Sequence, residues 1–440
     1  MSGFDALLVP RALADAVADD AWLAAMLDAE RALAAAEAAA GVVPAAAASA
    51  IADRCRPELY DTGRLAEDGR RAGNPVEPLV RELRAAVGGD AAGYVHFGAT
   101  SQDIMDSAAM LVARGALRLV EERLDAAAAA AAPLAETHRT TPMAARTLLQ
   151  QAVPTSFGAK AAGWLIALLD ALDRLAALLE TRLCAQLAGA GGTLAALGAE
   201  AGAVAGLYAG ELGLPEPDAP WHTDRSRVAE LAAALAIAAG ACEKIAGDVI
   251  LLAQTEVAEV AEAVAGPSST MPSKRNPAGS VVAAACCRRA RGAAETLLRC
   301  MDQEHERAAG AWQAEWGALS HALAFTGAAA EALAGSLGGL QVDTARMRAN
   351  MDAGGGLVMA ERISFLIASE HGFETAREIV AAAAGRAAAG GSFRDELLAD
   401  DRLGLAAADL DRAFDPSGYL GQAPEQVDRA LARYRGRAGA

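Results

Sequence analysis

The chain has 440 residues, 53% hydrophobic and 22% charged, which excludes intrinsic disorder and supplies material for a sizeable core. Thirty-nine basic and 56 acidic residues leave a formal charge of −17, which argues against general nucleic-acid or anionic-membrane binding; an anionic substrate must be met by a local group of Arg and Lys. At ~150 residues per domain the length corresponds to about three domains, or to one large fold with appendages.

Aromatic residues are only 4%, and alanine dominates, which suits helices packed closely along their length. The six cysteines (Cys55, Cys184, Cys242, Cys286, Cys287, Cys300) show no CxxC spacing and read as reduced, buried small hydrophobes of a cytosolic protein. Met1 to Pro10 contains Asp5 and has no basic start followed by an apolar run, so no secretory signal is expected. The longest apolar run, about Leu231 to Cys242, is well short of the ~18–20 residues that cross a bilayer, so a soluble, cytoplasmic protein with no membrane partner is expected.

In chain order, Asp19 and Asp20 cap a helix from Ala21 to about Ala40, and Pro44 opens a second, short one. Residues 61–98 are broken by Gly63, Gly69, Gly73, Pro75, Gly88 and Gly89 and read as a loop-rich helical segment. From about Asp103 to Ala132, just before Pro133, a helix of roughly 45 Å is expected at 1.5 Å per residue. Further long helical patterns span about Pro154 to Ala188, Arg225 to Val264, a stretch opening at Pro277, and Ala308 to Ala334. Their apolar positions recur at three and four residues, and helices of this length must lie side by side. Strand signals are nearly absent. After about Asp352 the chain is punctuated again. The expected fold is all-α: a central bundle of long helices, residues 103–350, flanked by smaller helical domains at 1–102 and 351–440.

The segment Gly266-Pro267-Ser268-Ser269-Thr270-Met271-Pro272-Ser273-Lys274-Arg275-Asn276-Pro277 separates two long helices. It combines hydroxyls, a lysine and an Asn-Pro pair placed to cap the next helix. Two readings are open: a polar connection with a capping Asn, or a loop whose amides and lysine hold a carboxylate or stabilise developing charge. A second segment, His96-Phe97-Gly98-Ala99-Thr100-Ser101-Gln102-Asp103, feeds the first long helix and is either an ordinary N-cap or an anion site. The His305-Glu306-Arg307 cluster is either a ligand contact or a solvated helix face. The six histidines (His96, His138, His222, His305, His321, His371) have no metal-ligand spacing, so no metal is expected.

Residues 268–277 resemble the signature loop of the fumarase/aspartase superfamily, Gly-Ser-Ser-x-Met-Pro-x-Lys-x-Asn, with Pro267 in place of the usual Gly. The resemblance implies that Ser268 is the catalytic acid/base and that Ser269, Lys274 and Asn276 bind substrate. By the same resemblance His96, Thr100 and Ser101 belong to a first substrate-binding motif. In Arg146-Thr147-Leu148-Leu149-Gln150 the resemblance places leucine 148 where many members carry an acid or ligand histidine; Arg146 remains to bind a carboxylate. This leucine argues against cleavage of adenylosuccinate or argininosuccinate.

Over nearly the whole chain the pattern resembles the bacterial family of carboxymuconate cycloisomerases. The shared segments include Gly73-Asn74-Pro75-Val76, residues 191–198, Pro220-Trp221-His222-Thr223, Gln303 to Arg307, Trp312 to Trp316 and Asp415 to Ala423. The resemblance implies a cofactor-free lactone closure on a tricarboxylate in protocatechuate degradation, and a homotetramer whose active sites draw on three subunits. Lys274, then Arg146, Arg225 and Arg307, are the cations expected to meet the carboxylates. The rivals are another C–N lyase of the superfamily and a catalytically idle helical scaffold.

Overall fold

The computed structural model describes residues 3–264, 266, 271 and 274–438. Among them, six helices exceed twenty residues: α1 (Asp19–Ala39), α2 (Ser101–Thr137), α3 (Phe157–Thr181), α4 (Ser226–Leu252), α5 (Ala278–Arg299) and α6 (Ala311–Gly338). Shorter helices precede and follow them along the chain. The all-α class holds. No helix among the described residues is long and apolar enough to cross a membrane.

Several helix ends depart from the sequence reading: α3 stops at Thr181, short of Ala188, α6 runs to Gly338, past Ala334, and three further ends differ for clear reasons. α2 does not stop at Ala132; it crosses Pro133 and runs one more turn to Thr137. Proline removes one ladder donor and crowds the carbonyl four residues back. Ala131, Ala132 and Ala135 are nonetheless buried, and their packing carries the helix through. The helix expected from Pro154 begins at Phe157, because residues 142–156 form an antiparallel hairpin, β1 (Pro142–Thr147) with β2 (Gln150–Ser156). Its two-residue turn, Leu148-Leu149, has φ of 50° and 64°. Such a turn normally shows Asn or Gly; two leucines hide it. The helix expected to reach Val264 ends at Leu252, and β3 (Val260–Ala261) then pairs antiparallel with β4 (Gln341–Val342).

The chain divides into two compact units. The first comprises Met1–Leu124, Asp170–Glu243 and Val282–Glu331. Its core includes Leu23, Leu27 and Leu33 of α1, which packs on helices Ala45–Ala52 and Ala201–Leu212. Each such leucine contributes about 1.5–3 kcal/mol on burial. Side-by-side helices are tied by Trp22 Nε1 donating to Ser320 Oγ at 2.9 Å, Arg123 to Glu331 at 2.8 Å, and Arg291 to Glu243 at 2.7 Å.

The second unit comprises Asp125–Leu169, Lys244–Val281 and Ala332–Ala440. Its core joins Ala144 of β1 to Met351, Met359, Ile363, Ile379, Phe393 and Leu410 of the C-terminal helices. The rings of Phe393 and Phe414 meet edge-on at 5.8 Å. Gly158, in the first turn of α3, allows a close approach: a Cβ there would lie 2.5 Å from the His138 carbonyl. All six cysteines are free thiols; five are buried and Cys55 is half-buried.

Candidate active site

In the first unit the site is organised at the start of α2. Asp103 is fully buried and accepts from the backbone N–H of Thr100 (3.0 Å), Ala188 (2.9 Å) and Gly189 (2.9 Å). His222 Nε2 lies 2.7 Å from Asp103 Oδ1, the oxygen that also accepts from Ala188. One carboxylate thus joins the first turn of α2 to two distant segments, and each charge-assisted bond is of the stronger kind. Behind it, buried Arg225 bridges Asp106 (2.8 and 3.1 Å) and Glu315 (3.0 and 2.5 Å), and Trp312 Nε1 donates to Asp106 at 3.0 Å. Arg225 is therefore not a free cation for substrate, contrary to the sequence expectation: its charge balances two buried carboxylates. Burial opposes that charge, yet the two acids outweigh burial and hold the guanidinium above its ordinary value.

Arg307 is likewise engaged. It donates to Gln102 Oε1 at 3.1 Å and to the carbonyls of Gly189 (2.9 Å) and Ala190 (2.7 Å). Gln102 in turn donates to Asp106 (3.0 Å) and to the His222 carbonyl (2.7 Å). Thr223 Oγ1 donates to the His305 carbonyl at 2.8 Å. The 303–307 segment is thereby fastened to the start of α2.

His96 stands beside this network with φ 59°, a left-handed conformation that costs a non-glycine residue of order 1 kcal/mol. Its Nδ1 lies 2.6 Å from Glu30 Oε1, on α1. Burial disfavours the charged ring, but the Glu30 carboxylate outweighs it and holds His96 above the usual histidine value. His96 and Ser101 line a cavity of about 370 Å³ with Glu77, Val80, Arg81 and Arg84. A larger cavity in the same unit, about 660 Å³, is lined by apolar groups such as Leu23, Met26 and Met105 together with Asp19, Arg70, Asn74 and His321.

In the second unit lies the neck of the signature loop. Gly266 N–H donates to the Asn276 carbonyl at 3.0 Å, and Asn276 Nδ2 returns to the Gly266 carbonyl at 3.3 Å. Asn276 therefore ties the loop's two ends. The N-terminus of α5 is not an open anion site: the buried Glu262 carboxylate already accepts from the N–H of Gly279 (2.9 Å) and Ser280 (2.8 Å) and from Ser280 Oγ (2.8 Å). Lys274 is exposed. Ser268 and Ser269 lie outside the described residues.

Arg146, on β1, makes a bidentate pair with fully buried Glu259 (2.6 and 2.9 Å), which also accepts from Asn350 Nδ2 at 2.8 Å. It sits within the hairpin and not at a helix end. Leu148 is 96% exposed at the hairpin tip, so on the single chain it walls no pocket. Among the described residues no group of His, Cys, Asp or Glu has the arrangement to hold a metal ion.

Glu30, Glu259 and Glu262 lie in no motif that the sequence marks as functional. The signal was present for two of them: Glu30 lies among the alanines and leucines of α1, and Glu262 falls in an alanine-rich stretch. A carboxylate on an apolar face needs a partner.

The long-helix fold and a Ser-x-Met-Pro-x-Lys-x-Asn loop tied at its neck define an enzyme of the lyase type. A family model described as "Lyase" matches residues 11–292, and one described as "Adenylosuccinate lyase C-terminus" matches 356–430. The chain is 46% identical over 443 residues to a 3-carboxy-cis,cis-muconate cycloisomerase of Pseudomonas aeruginosa, covering 98% of this chain and 96% of the relative. It is 45% identical over 433 residues to a nitrosuccinate lyase of Streptomyces davaonensis, covering 94% and 91%. The crystal structure of the 3-carboxy-cis,cis-muconate lactonizing enzyme from Pseudomonas putida superposes with a TM-score of 0.91 at 41% identity, covering 100% of both chains. The chain belongs to the lyase family of the fumarase/aspartase superfamily.

Proposed function

We propose that this enzyme closes 3-carboxy-cis,cis-muconate to a carboxymuconolactone, in protocatechuate degradation, without a cofactor. The observation that carries the reading is near-full-length identity to cycloisomerases of that substrate, joined to leucine at position 148, where a proton donor to a departing amine would be needed. A carboxylate oxygen adds across the neighbouring double bond, and a proton goes to the adjacent carbon. In reverse, a proton is removed alpha to a carboxylate, leaving a species with extra negative charge. Ser268 is the proposed acid/base. Free serine is a poor base, so cations must stabilise the charge it creates.

Lys274, His96, Thr100, Ser101 and Ser269 are proposed to hold the carboxylates. Arg146, Arg307 and Asn276, each with internal partners, are proposed to fix the segments that carry them. The active unit is proposed to be a cytoplasmic homotetramer with shared sites, on a three-segment plan of 1–102, 103–350 and 351–440. In support of assembly, Ile237 and Leu251 on α4 and Val281 and Leu298 on α5 are exposed on the single chain, at 48%, 42%, 51% and 43%.

A second reading, elimination from nitrosuccinate, is favoured by the equally similar lyase of that name. Ultraviolet assays with carboxymuconate, nitrosuccinate and adenylosuccinate in parallel decide it. Fast loss of carboxymuconate with neither of the others consumed is the expected result. Nitrosuccinate turnover exceeding cyclisation would overturn the assignment.

A further inference from the structure

We infer that Glu30, on α1, is a positioning residue that keeps His96 charged and orients its ring in the Arg84–Ser101 cavity, making that cavity a carboxylate-binding corner. The inference rests on the function proposed above and deepens it.

The geometry is that of a built pair. Glu30 is 1% exposed and His96 12%, and Glu30 Oε1 stands 2.6 Å from Nδ1. A buried carboxylate persists only beside a compensating charge. Because Nδ1–H donates to Glu30, Nε2 is the ring nitrogen left to a ligand, as in other carboxylate–imidazole pairs. The left-handed backbone at His96 is retained although a glycine would relieve it.

The groups facing His96 come from three elements. Glu30 is on α1, Asp103 on α2, and Arg84 on helix Val76–Val87. Arg84 donates to the Val95 carbonyl at 3.1 Å. Arg81, on the same helix, is neutralised by Asp68 at 2.9 Å and Glu77 at 3.2 Å. The cavity thus combines the Arg84 guanidinium, the His96 ring paired with Glu30 and the Ser101 hydroxyl at a helix start, with the Glu77 carboxylate taken up by Arg81. That set suits one carboxylate of a polyanion.

The second carboxylate nearby sharpens the point. Glu37, two turns further along α1, is fully buried, and neither of its oxygens has a hydrogen-bond partner. Burial, then the charge of Glu30, pushes its carboxyl up to about 8. Of the two acids, Glu30 is the one with a cation to balance it.

The test is the isosteric Glu30→Gln, with Glu37→Met as the control that removes the neighbouring buried acid without touching His96. Histidine Cε1 NMR titration of the intact enzyme, with the His96 signal assigned by its loss in His96→Asn, reads the pair directly. In Glu30→Gln the His96 titration should move to lower pH. KM for carboxymuconate should rise about tenfold or more while kcat changes less than about threefold, and the alkaline fall in kcat/KM should move to lower pH with the NMR titration. Glu37→Met should leave both in place. An unmoved His96 titration in Glu30→Gln, or an equal displacement in Glu37→Met, would overturn the inference. The NMR arm needs no turnover, so an enzyme inert to carboxymuconate but showing the displaced titration refutes the substrate and upholds the pair.

Discussion

Glu262 closes the N-terminus of α5 from within, its carboxylate meeting the N–H of Gly279 and Ser280 at 2.9 and 2.8 Å. The helix that follows the signature loop therefore starts satisfied, and its position is set before any substrate arrives. Glu262→Ala should remove this cap and its favourable pairing with the helix dipole, costing about 1–3 kcal/mol. Thermal unfolding should show a lower midpoint, with Glu262→Gln intermediate. Unchanged unfolding in Glu262→Ala would show that the cap carries no stability.

Ser268→Ala should lose roughly 10²–10⁴-fold in kcat with the assembly state unchanged. Lys274→Ala should weaken substrate binding as well as turnover. Steady-state kinetics beside sedimentation measures both, and near wild-type kcat in Ser268→Ala removes the residue from the mechanism.

Arg225→Met should be severely destabilising, by about 3–5 kcal/mol, because Asp106 and Glu315 would be left buried with no cation between them. The triple change Arg225→Met, Asp106→Leu, Glu315→Met should recover much of that loss. Denaturant unfolding of the single and triple variants gives the comparison, and a single variant within 1 kcal/mol of wild type contradicts the account.

The hairpin tip makes a prediction in which stability and activity part. Leu148 and Leu149 sit at positive φ and are 96% and 73% exposed on the single chain. Replacing the pair by Asn-Gly fits the turn better and should raise the unfolding midpoint. If the leucines are kept there to meet another copy at its site, cyclisation should fall in the same variant. Activity retained in full would free the tip of any role.

Glu37 should make stability depend on pH. Its folded carboxyl is raised from the ordinary 4.5 to about 8, chiefly by burial. The stability it allows is fully present below about 4.5 and is lost as pH rises through about 8. Glu37→Met removes this dependence. The variant should gain of order 1–3 kcal/mol over wild type at pH 8, with the gap narrowing at pH 5. A gap that does not change with pH would show that Glu37 titrates normally.

What could be read from the sequence follows the physics of each element. Long alanine-rich runs announce α2 to α6, because helix period and length are local properties. Ser268, Lys274 and the 96–103 segment stood out because hydroxyls and a cation cluster beside helix starts. The hairpin stayed hidden behind Leu148-Leu149, whose turn conformation leucine does not advertise. Partnerships between residues far apart in the chain, such as Glu30 with His96 or Arg225 with Glu315, carry no local mark. For that reason Arg225 and Arg146 read as free cations when both were already committed.

The mutual bonds of Gly266 and Asn276 fix the two ends of the signature loop to each other. Bringing the two loop ends together has a closure entropy cost, which these bonds help to offset. The start of α5 is held separately, by Glu262 with Gly279 and Ser280. If Ser268 and Lys274 act as proposed, exchanging residues 267–275 for those of another lyase tests whether the reaction can be changed while the helical scaffold is kept.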